Sequence, residues 1–322
     1  NEQQAYLGYN GYFINPENGN QYSSTVNPNG NYFQENSIES KGYNGKIAFN
    51  LATEYDKRFY FGVNLNAHFV NYEMASSFYE DYLDSPGNNT TTGVQASRFT
   101  NQLYTYGSGF SMQLGSIVKL TNEFRIGLTY ESPTWYNLND ELLQTLNVNC
   151  PDCVTNAQSF SASPNITIIY PTYKLQTPSK YTGSLAYVFG TSGLISVDYM
   201  LRDYSNVKLK PTNEFVDVNH TINNELTIAN EVRVGAEYRI KQWSLRGGYR
   251  FEESPYKKNN TVENLHSFST GFGYNFGDIK LDLAYMYAKR KNNQPLFARG
   301  LTDAPQINTV QNNVTLTLGF EL

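Results

Sequence analysis

The two cysteines, Cys150 and Cys153, stand in the run Cys-Pro-Asp-Cys within a polar stretch. Thiols at that spacing can close a local disulfide in an oxidising compartment or supply half of a zinc site. Zinc needs two more soft ligands and none lies nearby in sequence, so the disulfide is the preferred reading over a redox or metal role. His68, His220 and His266 are scattered, and neither a Ser/His/Asp arrangement nor metal-ligand spacing links them. No catalytic residue, metal or cofactor is expected. The third chemistry on offer is that of guanidinium groups. Arg233, Arg246 and Arg250 fall on the same side of two neighbouring predicted strands, where such forked donors could hold a carboxylate headgroup. Arg125, Glu131, Glu237, Arg239, Glu252, Lys280 and Asp282 share that polar side. Mixed signs favour ion-pair networks within a wall over a selective ring of one sign, and both readings stay open.

What must position these residues is a series of strands. Phe59, Phe61, Val63, Leu65, Ala67 and Phe69 alternate with Tyr60, Gly62, Asn64, Asn66 and His68. Phe124, Ile126, Leu128 and Tyr130 oppose Arg125, Gly127, Thr129 and Glu131. Val232, Val234, Ala236 and Tyr238 oppose Arg233, Gly235, Glu237 and Arg239, and the run closes with Val314, Leu316, Leu318, Phe320 and Leu322. Period-two alternation gives each strand one apolar and one polar face. Averages conceal this: mean hydropathy is -0.53 although aromatics reach 15% with 27 Tyr, and charged residues are only 16%. Such cancellation is what a membrane barrel produces when one face meets lipid and the other a lumen. A β-sandwich is the competing fold, but it needs neither such long strands nor a regular rhythm of short and long connections.

Tight turns are expected at Asp56-Lys57-Arg58, Thr121-Asn122-Glu123, Gly190 to Gly193, Lys241-Gln242 and Gly277-Asp278. Polar loops near 15–42, 73–98, 136–165, 208–224, 253–262 and 291–308 alternate with them. The expected fold is all-β: one transmembrane, antiparallel, up-and-down β-barrel domain over 1–322, multi-pass in the cell outer membrane. Its apolar faces would contact outer-membrane lipid, its short turns lie in the periplasm and its long loops outside the cell. About 12 strands are visible, the first near Ala5–Ile14. The direction of that first strand implies an even number of strands before it, so the chain reads as N-terminally incomplete. No run approaches the roughly 20 apolar residues of a spanning helix. A net charge of -5 argues against nucleic acid as a partner.

Two loops carry more apolar side chains than solvated loops need. Phe78, Tyr79, Tyr82 and Leu83 lie in one, and Trp135, Tyr136, Leu138, Leu142, Leu143 and Leu146 in the other. They could meet a hydrophobic small-molecule ligand or pack the loops on one another. Glu141–Leu146 has the pattern of a short amphipathic helix.

The stretch YGSGFSMQLGSIVKLTNEFRIGLTYESPTWYNL, Tyr106 to Leu138, resembles the central hairpin of the FadL/OmpP1/TodX family of outer-membrane transporters. TPSKYTGSLAY at Thr177–Tyr187, Asp198-Tyr199, VRVGAEYR at Val232–Arg239 and LRGGYR at Leu245–Arg250 extend the likeness, which covers about Tyr43 to Leu322. The resemblance implies a FadL-like barrel of 14 strands, of which about 12 are visible, with small helices at the loop mouth. It also implies an N-terminal hatch with an Asn-Pro-Ala-type motif, which is not found in this sequence. The implied function is uptake of long-chain fatty acids or other hydrophobic small molecules by passive diffusion, not enzymatic. Barrels of this kind also serve as non-transporting subunits of secretion or assembly machinery, so other outer-membrane proteins are the alternative partners.

Overall fold

The computed structural model describes residues 2–17, 21–26, 30, 32–83, 93–258, 261–293 and 304–320. Within the expected loops, 18–20, 27–29, 31, 84–92, 259–260 and 294–303 therefore lie outside the described residues, as does Leu322 at the end of the last expected strand. The chain forms two units. One comprises Asn1–Gly45, Phe69–Ser108 and Asn137–Tyr173, the other Lys46–His68, Gly109–Tyr136 and Lys174–Leu322.

The second unit is an antiparallel sheet built by alternation. Strand Ala96–Lys119 pairs with Phe124–Glu131 through Gln113 to Lys119, and Phe124–Glu131 pairs with Lys180–Val188. From there each strand pairs with its successor: Gly193–Asp203, Ile228–Ile240, Trp243–Glu252, Leu265–Asn275, Ile279–Asn293 and Gln306–Phe320. The tight turns fall where the sequence puts them. Asp56 and Lys57 both take left-handed backbone conformations, at φ 52° and 49°, the combination that matches the right-handed twist of a hairpin. Lys241, Gly190 and Gly277 also have positive φ at their turns. Aromatic rings gather beside these turns, with Trp243 4.7 Å from Phe272 and 4.4 Å from Tyr274.

Burial in this unit runs opposite to that of a water-soluble domain. Phe61, Leu128, Val234 and Leu318 are 50, 63, 41 and 54% exposed, while Asn66, Ser111, Glu231 and Ser267 are buried. A sandwich would place the first four in its core. Here they form the face that lipid must cover, and the sandwich alternative is excluded.

The first unit has an ordinary core. Leu7, Leu146, Val148, Cys150 and Ala162 are buried together, with Phe13, Val94, Phe99, Cys153 and Phe160 packed against them. Leu7 comes from the helix Glu2–Asn10, which corrects the expectation of a strand at Ala5–Ile14. Ala, Gln and Glu favour the helix, and only Leu7 among its apolar residues is buried, so the Ala5-Leu7-Tyr9 alternation has no sheet to serve. Gly11 ends the helix, its N–H bonded to the Leu7 carbonyl, and a Cβ there would lie 2.7 Å from Leu146 Cδ2.

The expected loop at 136–165 is largely strand: Trp135–Val154 and Ala157–Ser161 pair with each other. No helix forms at Glu141–Leu146. Leu142 and Leu146 suit a helical spacing, but Tyr136, Leu138, Gln144, Leu146, Val148 and Cys150 are buried at even positions, a period of two that Asp140 and Gln144 obscure in the sequence. Strand Phe59–Asp81 likewise runs on into the expected loop at 73–98, and Phe33–Tyr55 begins inside that at 15–42. Within 208–224 the chain forms the short strand Lys208–Lys210 and enters the helix Val216–Glu225.

Candidate functional site

In the second unit, the polar face brings Arg233, Arg246 and Arg250 together, and it does so through carboxylates. Register sets Arg233 directly opposite Arg250, where like charges repel. Glu231 offsets this: its Oε1 accepts from Arg233 Nε at 2.5 Å and forms an ion pair with Arg250, 2.7 Å from Nε. Glu252 accepts from Arg250 and from Arg290, the latter at 3.0 Å. Glu237 accepts from Arg239 and from Arg246 at 2.7 Å, and Arg246 reaches Asp282 as well. Gly273 makes room for that last pair, because a Cβ there would stand 2.3 Å from Asp282 Oδ1. The three arginines border a concavity of about 560 Å³ whose floor includes Gly235, Gly248 and Ser269. Sequence reasoning placed these arginines on one face but missed Glu231 and Arg290. Glu231 was legible two residues before Arg233 on the same side.

Tyr136 is buried in the same unit, while its neighbour Trp135 is exposed, as alternation requires. The Tyr136 ring stands edge-on to His68 at 5.7 Å and lies over Gly109, where a Cβ would come within 2.6 Å of it. His68 Nε2 is 2.8 Å from Ser111 Oγ, to which Asn66 Nδ2 also donates at 3.3 Å. This Ser–His contact joins two neighbouring strands and was invisible in the sequence. Ser111 is fully buried and no carboxylate bonds the ring among the described residues, so the group is polar packing within the wall.

Of the four apolar residues singled out in the first unit, Leu146 belongs to the buried core, whereas Phe78 and Tyr79, adjacent on one strand, point to opposite faces. Phe78 and Leu146 are buried, and Tyr79 and Leu142 are half-buried. Tyr79 packs against Phe33, and the Arg98 guanidinium lies 4.9 Å over its ring. Tyr82, just past the strand end, sits between Phe13 and Tyr32 with ring centroids 6.1 and 4.9 Å away. Burial pushes its phenol well above the usual range. Leu7, Phe13, Phe99 and Val148 complete the core around Leu146; Leu7 escaped notice because its segment read as a strand. Cys150 and Cys153 are joined by a disulfide, Cα atoms 5.4 Å apart, with Cys150 inside the core. Asp152 Oδ1 between them accepts the Gly93 N–H at 2.6 Å.

The arrangement is a polar wall of paired charges in one unit and an apolar core in the other. The family described as outer membrane protein transport protein (OMPP1/FadL/TodX) matches residues 10–317. This chain belongs to the FadL/OmpP1/TodX family. It is accordingly an outer-membrane protein of the β-barrel class that crosses with strands, and a transport protein, not an enzyme. No helix of the described residues is long and apolar enough to cross a membrane. Among solved structures, the CymD monoaromatic hydrocarbon channel is similar at 17% identity and a TM-score of 0.48, over 81% of this chain and 73% of that one. The Ralstonia pickettii toluene transporter TbuX gives 16% and 0.46, over 96% and 76%. A Pseudomonas aeruginosa FadL homologue gives 11% and 0.44, over 84% and 76%. Comparison with curated proteins gives no match.

Proposed function

We propose that this FadL-family chain admits hydrophobic small molecules, long-chain fatty acids or aromatic hydrocarbons among them, by passive diffusion across the outer membrane. The observation that carries the reading is the match of residues 10–317 to a family of outer-membrane transport proteins, on a sheet that turns Phe61, Leu128, Val234 and Leu318 toward lipid. The wall of the second unit supports diffusion without a fixed ionic site, because each of Arg233, Arg246 and Arg250 has a carboxylate partner within the protein.

The test is uptake of radiolabelled oleate, toluene and glucose by cells that lack their own hydrophobic-compound channels and express this chain. Oleate or toluene entry above the empty-vector rate, with glucose unchanged, is expected. Equal rates with and without the chain for both oily compounds would overturn the proposal.

A further inference from the structure

Two features of the second unit meet at the same strands, and neither is used by the wall or the interior described above. The first is an apolar groove of about 590 Å³ on the lipid-facing side, bordered by Phe61, Leu114, Leu128, Tyr130, Tyr181 and Tyr199. Its cause is a glycine on the outward side: Gly183 stands opposite Leu128 on one neighbour and Tyr199 on the other. A Cβ at Gly183 would meet nothing within 4 Å, so the sheet has a notch where an outward side chain is missing, ringed by tyrosines.

The second feature is a lysine ribbon. Tyr173–Gln176 pairs with Lys208–Lys210, setting Lys174 directly opposite Lys210 and Gln176 opposite Lys208, while Leu175 and Leu209 share the other face. Three ammonium groups thus occupy one face of this strand pair at the end of the sheet, all exposed. Like charges directly across a pair destabilise it, and among the described residues none of the three has a carboxylate partner. Lys210 donates only to Gln176 Oε1, at 3.2 Å. The carboxylate that precedes the ribbon, Asp203, is occupied by Ser205 and Asn206 of its own turn. In a chain of net charge -5, an unneutralised cluster of this sign calls for an external anion.

The ribbon and the groove share their strands. The residues from Gln176 to Lys180 and from Asp203 to Lys208 connect the ribbon to the hairpin Lys180–Val188 and Gly193–Asp203, at the end away from its tight turn at Gly190 to Gly193. The groove lies on the outer face of that same hairpin. Positive charge at a membrane-crossing strand's long-loop end, beside an acyl-sized cleft, is complementary to one kind of molecule.

We propose that this corner binds a phosphorylated lipid of the outer leaflet, with Lys174, Lys208 and Lys210 on its phosphate and an acyl chain in the groove at Gly183. The experiment is native mass spectrometry of the detergent-solubilised full chain titrated with diphosphoryl lipid A, with dephosphorylated lipid A, or with diphosphoryl lipid A in competition with inorganic phosphate. Wild type should retain the diphosphoryl form. The K174Q/K208Q/K210Q variant should bind it about a hundredfold more weakly, from three surface lysines acting on one phosphate-bearing head. Gly183→Trp, which fills open space, should weaken it while leaving the lysines in place. Equal binding of dephosphorylated lipid, unchanged binding by the triple variant, or indifference to Gly183→Trp would each overturn the proposal. So would full displacement by inorganic phosphate, because the acyl chain would then contribute nothing.

Discussion

The two units use one strand in opposite ways. In strand Phe59–Asp81, the residues of the second unit put Phe61, Val63 and Leu65 at odd positions, and all three are exposed. In the first unit the same strand buries Phe78, at an even position. The apolar side of the ribbon has changed parity, and what covers it has changed from acyl chains to protein. The pleat is identical in both; the surroundings decide whether a large apolar side chain is anchor or core. A stretch of alternation therefore identifies a strand before it identifies the medium the strand faces.

The contrast can be broken most forcefully in the first unit. Leu146→Ala removes a side chain that packs with Leu7, Val148 and Cys150, and should cost about 2–5 kcal/mol. Amide hydrogen exchange should accelerate around Val148 and Phe160, whereas Leu128→Ala in the second unit should lose only the transfer of the deleted carbons from water to lipid, about 1–2 kcal/mol, with no cavity penalty. Equal losses from both would show that the second unit has a conventional core. Leu128→Arg reverses the test: a cation on the lipid side should cost about 2–4 kcal/mol, read from urea titration of refolding into vesicles. Replacing both Cys150 and Cys153 with alanine should lower stability by about 2 kcal/mol, the effect of a very short covalent loop. That loss should be confined to the first unit, and melting curves with and without reductant measure it. The smallest effect is expected from Glu231→Gln, about 1 kcal/mol, because Arg233 and Arg250 are half exposed and water screens them once the carboxylate is gone. A larger loss would mean that the wall is drier than its exposure implies.

The second unit was legible residue by residue. Most of its tight turns carry Gly, Asp or Asn, with Lys241-Gln242 the exception, and its outward and inward sets followed from strict alternation around Leu128, Val234 and Leu318. The sharing of faces by Arg233, Arg246 and Arg250 was equally readable, but not their partners, since Glu231 and Arg290 acquire meaning only through cross-strand register. The first unit was harder to read for a physical reason. Buried inside protein, its strands tolerate polar residues that find partners, such as Gln144, which donates to Asn101 at 2.6 Å, and Asp140, which accepts from Thr105 at 2.7 Å. Those residues interrupt the period that would have declared Trp135–Val154 a strand. The contact of His68 with Ser111, like the notch at Gly183, depends on which strands become neighbours, and no local pattern encodes that.

From Lys180 onward every long strand bonds to the next one along the chain. Backbone pairing there closes only the loop between one long strand and the next, so the entropy lost at each step grows slowly with loop length and is recovered by a new row of hydrogen bonds. Such a stretch can grow by successive hairpins, each newly added strand serving as the template for the one after it. A stalled intermediate would therefore present a single unsatisfied ribbon edge, the state that an assembly factor in the membrane would need to recognise and shield.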